Sequence, residues 1–258
     1  MITVVLLGAG NVASHLYKAF KNTDEVTVKQ WYNRSLKAIE SYKNDVEITN
    51  NLNELTLADI YILAVSDDAI EDLSKALPFA DRLVVHTSGS TSLYAVDMKQ
   101  KRGVFYPLQT FSKDADVDFS EVPICVEALN KKDLPVLKQL AKAIGSKSHK
   151  VNSDQRQALH LAAVFVNNFT NQLYRIAHEI TEANGAEFDI LKPLIKETAN
   201  KVESLSPFMA QTGPAKRNDK KTIRRHLKQL DSDHHIAVYD LLTKSIQKTH
   251  GFSRKPKK

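Results

Sequence analysis

The stretch that decides the fold is Ile2-Thr3-Val4-Val5-Leu6-Leu7-Gly8-Ala9-Gly10-Asn11-Val12-Ala13. Ile2–Leu7 is apolar save for one threonine and β-branched at most positions, which is the pattern of a strand covered on both faces. The pattern G-x-G-x-x-A follows at once and opens a helical periodicity. Gly8 lets the chain turn sharply, Gly10 lets the backbone approach a pyrophosphate with no Cβ in the way, and Ala13 lets the helix pack close on the strand. The free N–H groups and the positive helix end then face phosphates, which makes Gly8, Ala9, Gly10, Asn11, Val12 and Ala13 candidate dinucleotide contacts. A tight strand–helix turn without ligand is the competing reading.

Outward from that turn, apolar runs at Val26–Trp31, Ile60–Val65, Leu83–His86, Val104–Tyr106 and Ile124–Glu127 alternate with helical patterns at Val12–Phe20, Leu36–Lys43, Ala69–Ala76 and Asp133–Ile144. Such alternation predicts an α/β domain with a doubly wound parallel Rossmann sheet, its first crossover right-handed. Gly145 marks a helix stop. Beyond residue 150 the strand signals vanish. Asn152 with Gln155 forms a capping box, and a helical pattern runs from there to Asn184, broken by Gly185. Further helices are expected at Asp189–Glu203, Lys220–Gln229 and Ser232–Thr249. The organisation is therefore a Rossmann domain over 1–150, a smaller all-helical substrate or dimerisation domain over 151–252, and a solvated, disordered basic tail over 253–258. A helix of some thirty residues needs another surface over its apolar face, which points to a homodimer through this half.

In parallel sheets the ligand lies over the C-terminal strand ends. The second strand ends in Trp31-Tyr32-Asn33-Arg34-Ser35, with no acid where a ribose-binding carboxylate would stand. Arg34 would attract a 2′-phosphate, Asn33 and Ser35 flank it, and Ser35 can cap the next helix, so the cofactor expected is NADP. A solvated loop arginine is the alternative. Trp31 is expected beside the adenosine pocket, where its fluorescence would report binding. Val65 and Ser66 bring backbone towards the ribose or nicotinamide, with Asp67 as a helix cap. His86-Thr87-Ser88-Gly89-Ser90 concentrates hydroxyls, with Thr87 placed towards cofactor and Ser88 as a catalytic candidate; His86 reads equally well as a structural histidine. Tyr106-Pro107-Leu108-Gln109-Thr110-Phe111 offers Pro107, Gln109 and Thr110 to a substrate.

On the long helix, His160, Asn167, Asn171 and His178 fall near one line at about 100° per residue, with Asn168 on the flank. His160, Asn167 and Asn168 are the catalytic candidates, against a polar interhelical face. The turn Thr212–Asp219 places Lys216 and Arg217 as an anion clamp or simply a solvated turn, and Asp219 as a helix cap. His234-His235 lacks the i, i+4 spacing of a helical metal pair, and no metal is expected.

Composition sets outer limits. The chain has 258 residues, 42% hydrophobic and 26% charged, with a net charge of +6. Lys216–Arg225 carries six basic groups and Ser253–Lys258 four. Such patches can serve nucleic acid, but with neither interleaved aromatics nor zinc-finger spacing no nucleic acid is expected, and a phosphorylated cofactor or an acidic substrate is the expected partner. No run is long enough to cross a bilayer, and no signal-peptide pattern opens the chain. The lone Cys125 sits in an apolar run as a small hydrophobe and suits a reducing cytoplasm.

The segments LLGAGNVASHL, WYNRS, AVSDDAI, HTSGS, FYPLQTFS, HLAAVFVNNF and GPAKRND resemble those of the bacterial Rossmann-like NADP oxidoreductases. These pair a dinucleotide domain with a helical domain similar to that of 6-phosphogluconate dehydrogenase. The resemblance implies NADP at Gly8, Gly10, Arg34 and Ser35, and substrate near Pro107–Thr110 and the long helix. It also exposes a departure: hydroxyacid dehydrogenases of the wider superfamily carry a lysine where Val164 falls here. Reduction of a small, anionic carbonyl or imine, or oxidation of a hydroxy substrate by another proton donor, is the function implied; a non-catalytic NADPH sensor is the alternative.

Overall fold

The computed structural model describes residues 1–251 and resolves into two compact units, Met1–Asn168 and a second beginning at Phe169. The basic tail 253–258 lies outside the described residues.

The first unit is built on an eight-stranded sheet: β1 (Ile2–Leu7), β2 (Val26–Tyr32), β3 (Glu47–Thr49), β4 (Ile60–Leu63), β5 (Leu83–His86), β6 (Lys101–Pro107), β7 (Ile124–Ala128) and β8 (Ser148–Lys150). Its order is β3-β2-β1-β4-β5-β6-β7-β8. The chain runs outward from β1 to β3 and returns beside β1 at β4, so the topological switch lies between β1 and β4. Pairing is parallel from β3 through β6, with Leu7 opposite Tyr32 on one side and Leu63 on the other. Leu6, Ile62, Val85 and Phe105 are fully buried on one face, and Val5, Tyr61 and Leu63 on the other. Helices α1 (Asn11–Lys21), α2 (Ile70–Ala76) and α3 (Leu134–Ala143) belong to this unit. Gly145, at φ +79°, follows the end of α3 as expected.

Three expectations are corrected. The sheet is not wholly parallel: β7 pairs antiparallel with β6, Pro107 opposite Ile124, because the intervening segment holds a loop and a single 3₁₀ turn rather than a crossover helix. Strands β3 and β8 were not expected; three residues each, polar and at the sheet edges, they are too short to show a period of two. Leu36–Lys43 is not a helix but two 3₁₀ turns, Leu36–Ala38 and Glu40–Tyr42. One fully buried anchor, Ile39, is too little to hold a short α-helix.

The long helical pattern is α4 (Ser153–Ala163), a π-helical segment (Val164–Phe169) and α5 (Thr170–Ala183). The capping box at Asn152 and Gln155 forms as read. The π segment widens the turn, so a line drawn at constant pitch from His160 to Asn171 and His178 does not hold. In the second unit α5 is followed by α6 (Lys192–Ser204), α7 (Pro207–Ala210), α8 (Lys220–Gln229) and α9 (Asp233–Thr249). Gly185 ends α5 at φ +66°, and Asp219 caps α8 by accepting from Thr222 N at 3.0 Å. His235 bonds Glu179 at 2.9 Å, joining α9 to α5. No helix among the described residues is long and apolar enough to cross a membrane.

Candidate active site

At the switch point, where β1 and β4 end side by side, a cleft of about 1050 Å³ opens over Gly8–Val12. Gly8 adopts φ +116°, and a Cβ there would stand 2.1 Å from the Ala64 carbonyl oxygen, so the tight turn and the approach of β4 both require glycine. Gly10 is the N-cap of α1 with no side-chain cap, and no acid occupies the first helical turn. The space where its Cβ would stand holds no atom within 4 Å. Open N–H groups and a bare approach are what a diphosphate needs. Arg34 stands exposed on the rim of the same cleft, with no ion pair among the described residues. Asn33 ties its loop to the sheet, donating from its backbone to Thr49 O (3.1 Å) and from Nδ2 to Ser35 O (2.9 Å). The donor set therefore fits a phosphorylated dinucleotide.

The cleft gathers Gly8, Ala9, Gly10, Asn11, Val12, Asn33, Arg34, Val65, Ser66, Thr87, Gln109 and Thr110 of the residues expected from sequence. It leaves out Ala13, which is fully buried and packs α1 on the core, and Ser35, which is exposed off the cleft and makes no capping bond. Asp67 is not the cap either: its carboxylate accepts from the Ser90 hydroxyl, which clasps the β4 loop to the β5 loop. Trp31 does not line the pocket. It is fully buried, donates its indole N–H to Gly8 O at 2.6 Å, and packs on Tyr17 and Tyr42 at 4.8 and 4.6 Å. Sequence reasoning missed Leu52, Asp68, Asp72, Leu73 and Phe111 on the cleft wall. The β6 loop is tied across the front of α1, with Asn11 Nδ2 donating to Phe111 O at 2.8 Å and His15 Nε2 lying 2.9 Å from Ser112 O.

A second cavity of about 560 Å³ shares Gln109 and Thr110 with the first and extends to His160, Val164, Asn167 and Asn168. The three polar candidates of the helix thus meet there, with Val164 beside them. Tyr106, at the end of β6, lines it too and lies 3.2 Å from His160 Nδ1 through its hydroxyl. Pro107 is buried in the strand end and faces neither cavity. Ser88 is turned away as well. Its hydroxyl donates to Thr91 Oγ1 (2.9 Å) and accepts from the N–H groups of Ser90 and Thr91, so it shapes the turn. Lys216 donates from Nζ to Gln211 O at 2.7 Å within the second unit, and Arg217 is exposed.

Beneath the β5 loop lies a buried ionic group that the sequence did not announce. Arg156 on α4 is fully buried, pairs with Glu127 of β7, and donates to the carbonyls of Ser88 (Nε, 3.2 Å) and Thr91. Ser153 adds its hydroxyl to the same carboxylate at 3.0 Å. Arg156 thereby fixes the loop from below, and its place one turn before His160 was the available signal. His86 is fully buried and accepts from Ser88 N at 3.2 Å; burial first, then the Arg156 charge, depresses it to about 4, so it stays neutral. Cys125 is buried as expected, and burial raises its thiol.

Residues 3–89 match the family model described as NADP oxidoreductase coenzyme F420-dependent, and residues 122–246 match a domain of unknown function, DUF2520. A crystal structure of a candidate NADP oxidoreductase from Bacteroides fragilis is 39% identical over 96% of this chain and 98% of its own, with a TM-score of 0.83. The chain belongs to this NADP oxidoreductase family. NADP, the cofactor the rim arginine led one to expect, is the family's cofactor. At lower identity the fold alone is shared. A Thermotoga maritima protein is 20% identical over 98% of this chain and 100% of its own, with a TM-score of 0.75. A Streptomyces aurantiacus imine reductase is 13% identical over 96% and 95%, with a TM-score of 0.70. No curated protein matches the chain.

Proposed function

We propose that the protein is an NADPH-dependent reductase of a small carbonyl or imine compound, or in reverse an NADP⁺-dependent dehydrogenase of the corresponding hydroxy or amino compound. The observation that carries this reading is the meeting of two cavities at Gln109 and Thr110: one fits a dinucleotide, and the other sets the polar groups of His160, Asn167 and Asn168 among apolar side chains. Bound NADP(H) would supply hydride chemistry. The chain's own contribution is positioning. Gly8–Val12 would hold the diphosphate, Asn33 and Arg34 the 2′-phosphate, and Val65, Ser66 and Thr87 the rest of the cofactor. Gln109, Thr110, His160, Asn167 and Asn168 would orient the substrate. Exposed Leu194, Phe208 and Leu241 support homodimerisation through the helical unit, and a single buried cysteine suits a cytoplasmic setting.

The test has two arms. Titration with NADPH and NADH should show a clear preference for NADPH. Loss of nicotinamide absorbance is then followed with cyclic imines, 2-oxo acids and simple ketones, and at least one class should be reduced. NADPH binding with no turnover across all three classes would move the reading to a cofactor sensor.

A further inference from the structure

We propose that Tyr106 is the catalytic proton donor to the reducible carbonyl or imine, with His160 as the positioning residue that aims its hydroxyl. This rests on the reductase reading above and names a group that reading leaves open. Among the described residues lining the second cavity, Tyr106 and His160 are the two with titratable side chains; the other polar groups are the amides of Gln109, Asn167 and Asn168 and the Thr110 hydroxyl. Amides hydrogen-bond well but are poor acids. Tyr106 lies near the end of β6, and Gln109 and Thr110, just beyond that strand, border both cavities, so Tyr106 lines the cavity that adjoins the dinucleotide cleft.

Two further features mark the pair as built. Gly89 makes room for it: a Cβ at that position would lie 2.7 Å from both Tyr106 Cζ and His160 Nδ1. The Gly89 loop is in turn pinned by Arg156, which bonds the Ser88 and Thr91 carbonyls on either side, and by Gln157, which donates to Ser90 O at 2.9 Å. Burial pushes the Tyr106 hydroxyl up to about 12, so it keeps its proton throughout the working pH range.

The step balances. As hydride reaches the carbonyl carbon, a C–H bond forms and the π pair of C=O moves to oxygen. The O–H bond of Tyr106 breaks and its proton goes to that oxygen. The tyrosyl oxygen regains a proton from solvent when the product leaves the open cavity, and the His160 ring, 3.2 Å away, holds the hydroxyl in place. The two electrons come from the dihydronicotinamide of bound NADPH, and an imine nitrogen can stand in place of the oxygen.

The test uses 2-pyrrolidinone, a lactam whose carbonyl a nicotinamide does not reduce, added to the full-length protein saturated with NADP⁺. Its affinity and carbonyl stretch are read by titration and isotope-edited infrared spectroscopy. Tyr106→Phe removes one oxygen and nothing else. It should weaken the lactam about tenfold, the loss of one hydrogen bond, and abolish the downshift of the carbonyl stretch while NADP⁺ affinity stays unchanged. His160→Gln should leave NADP⁺ binding intact and shrink that downshift. Identical lactam affinity and stretch in wild type and Tyr106→Phe, or no lactam binding to wild type, overturns the role of Tyr106 and leaves the cofactor reading standing. Failure of wild type to bind NADP⁺ removes the reductase reading and this proposal together.

Discussion

The two compact units use their apolar residues in opposite ways. In the first, the sheet and its helices close on one another, and Leu6, Ile62, Val85, Phe105 and Leu137 have no exposed surface. In the second, Ile176 and Ala215 are the buried apolar residues among those described, and each keeps a little exposed surface, while Leu194, Phe208 and Leu241 remain 61%, 54% and 69% exposed. The contrast separates two tasks. The sheet unit holds its core and cofactor cleft from its own sequence, whereas the helical unit presents amphipathic faces with large apolar side chains exposed.

The steepest test of that contrast is a pair of glycines. Gly8 and Gly185 both have positive φ, at +116° and +66°, yet a Cβ on Gly8 would strike Ala64 O and one on Gly185 would meet nothing within 4 Å. Gly8→Val should cost more than about 4 kcal/mol and yield insoluble or unfolded protein. Gly185→Ala should cost only about 1–2 kcal/mol, the left-handed strain alone. Urea unfolding of the two variants compares them directly; equal losses would mean that the sheet unit is no more tightly closed than the helical one.

The same contrast explains what could be read from sequence. β1, the glycine turn and the capping box at Asn152 were legible because each is local, a period or a spacing within a dozen residues. The place of Arg34 on the cleft was legible because the loop after β2 leaves the sheet at the strand ends where ligands lie in this fold. What stayed hidden depends on partners distant in the chain. Tyr106 meets His160 across 54 residues, Arg156 meets Glu127 across 29, and Gly89 shows its purpose only where a Cβ would touch both members of the Tyr106–His160 pair. The π segment was hidden because a wheel drawn at constant pitch assumes it away. Edge strands β3 and β8 were hidden by their length.

The open faces of the second unit give the next effect. If a second copy covers Leu241, Leu241→Glu removes two buried leucines per dimer, roughly 1.5–3 kcal/mol each, and should shift the monomer–dimer equilibrium by 100-fold or more. Sedimentation velocity reads this, with NADPH affinity unchanged. A wild-type monomer at all concentrations would end the homodimer reading.

Acid should act on the sheet unit through His86. Its folded value is depressed to about 4, whereas in the unfolded chain it titrates near 6.5. Stability from this group is complete above 6.5 and falls as pH drops towards 4, because the unfolded state takes up the proton first. The loss is about 3 kcal/mol at most. Urea midpoints measured between pH 7 and 4 should show that fall, and it should be absent in His86→Gln once the variant's own baseline is subtracted.

The smallest effect falls on Arg34, and it discriminates best between a cofactor arginine and a solvated one. The guanidinium lies exposed on the cleft rim, so water and salt weaken any bond it makes to phosphate. A charge-assisted bond is worth about 1.5–3 kcal/mol, and exposure places this one at the lower end, so Arg34→Ala should weaken NADPH roughly tenfold and leave NADH within twofold. Raising salt should narrow the wild-type preference for NADPH and leave the variant's preference nearly flat. Equal losses for both cofactors would mean that Arg34 shapes the Asn33–Ser35 loop rather than reading the phosphate. The selector would then have to be sought elsewhere on the cleft wall.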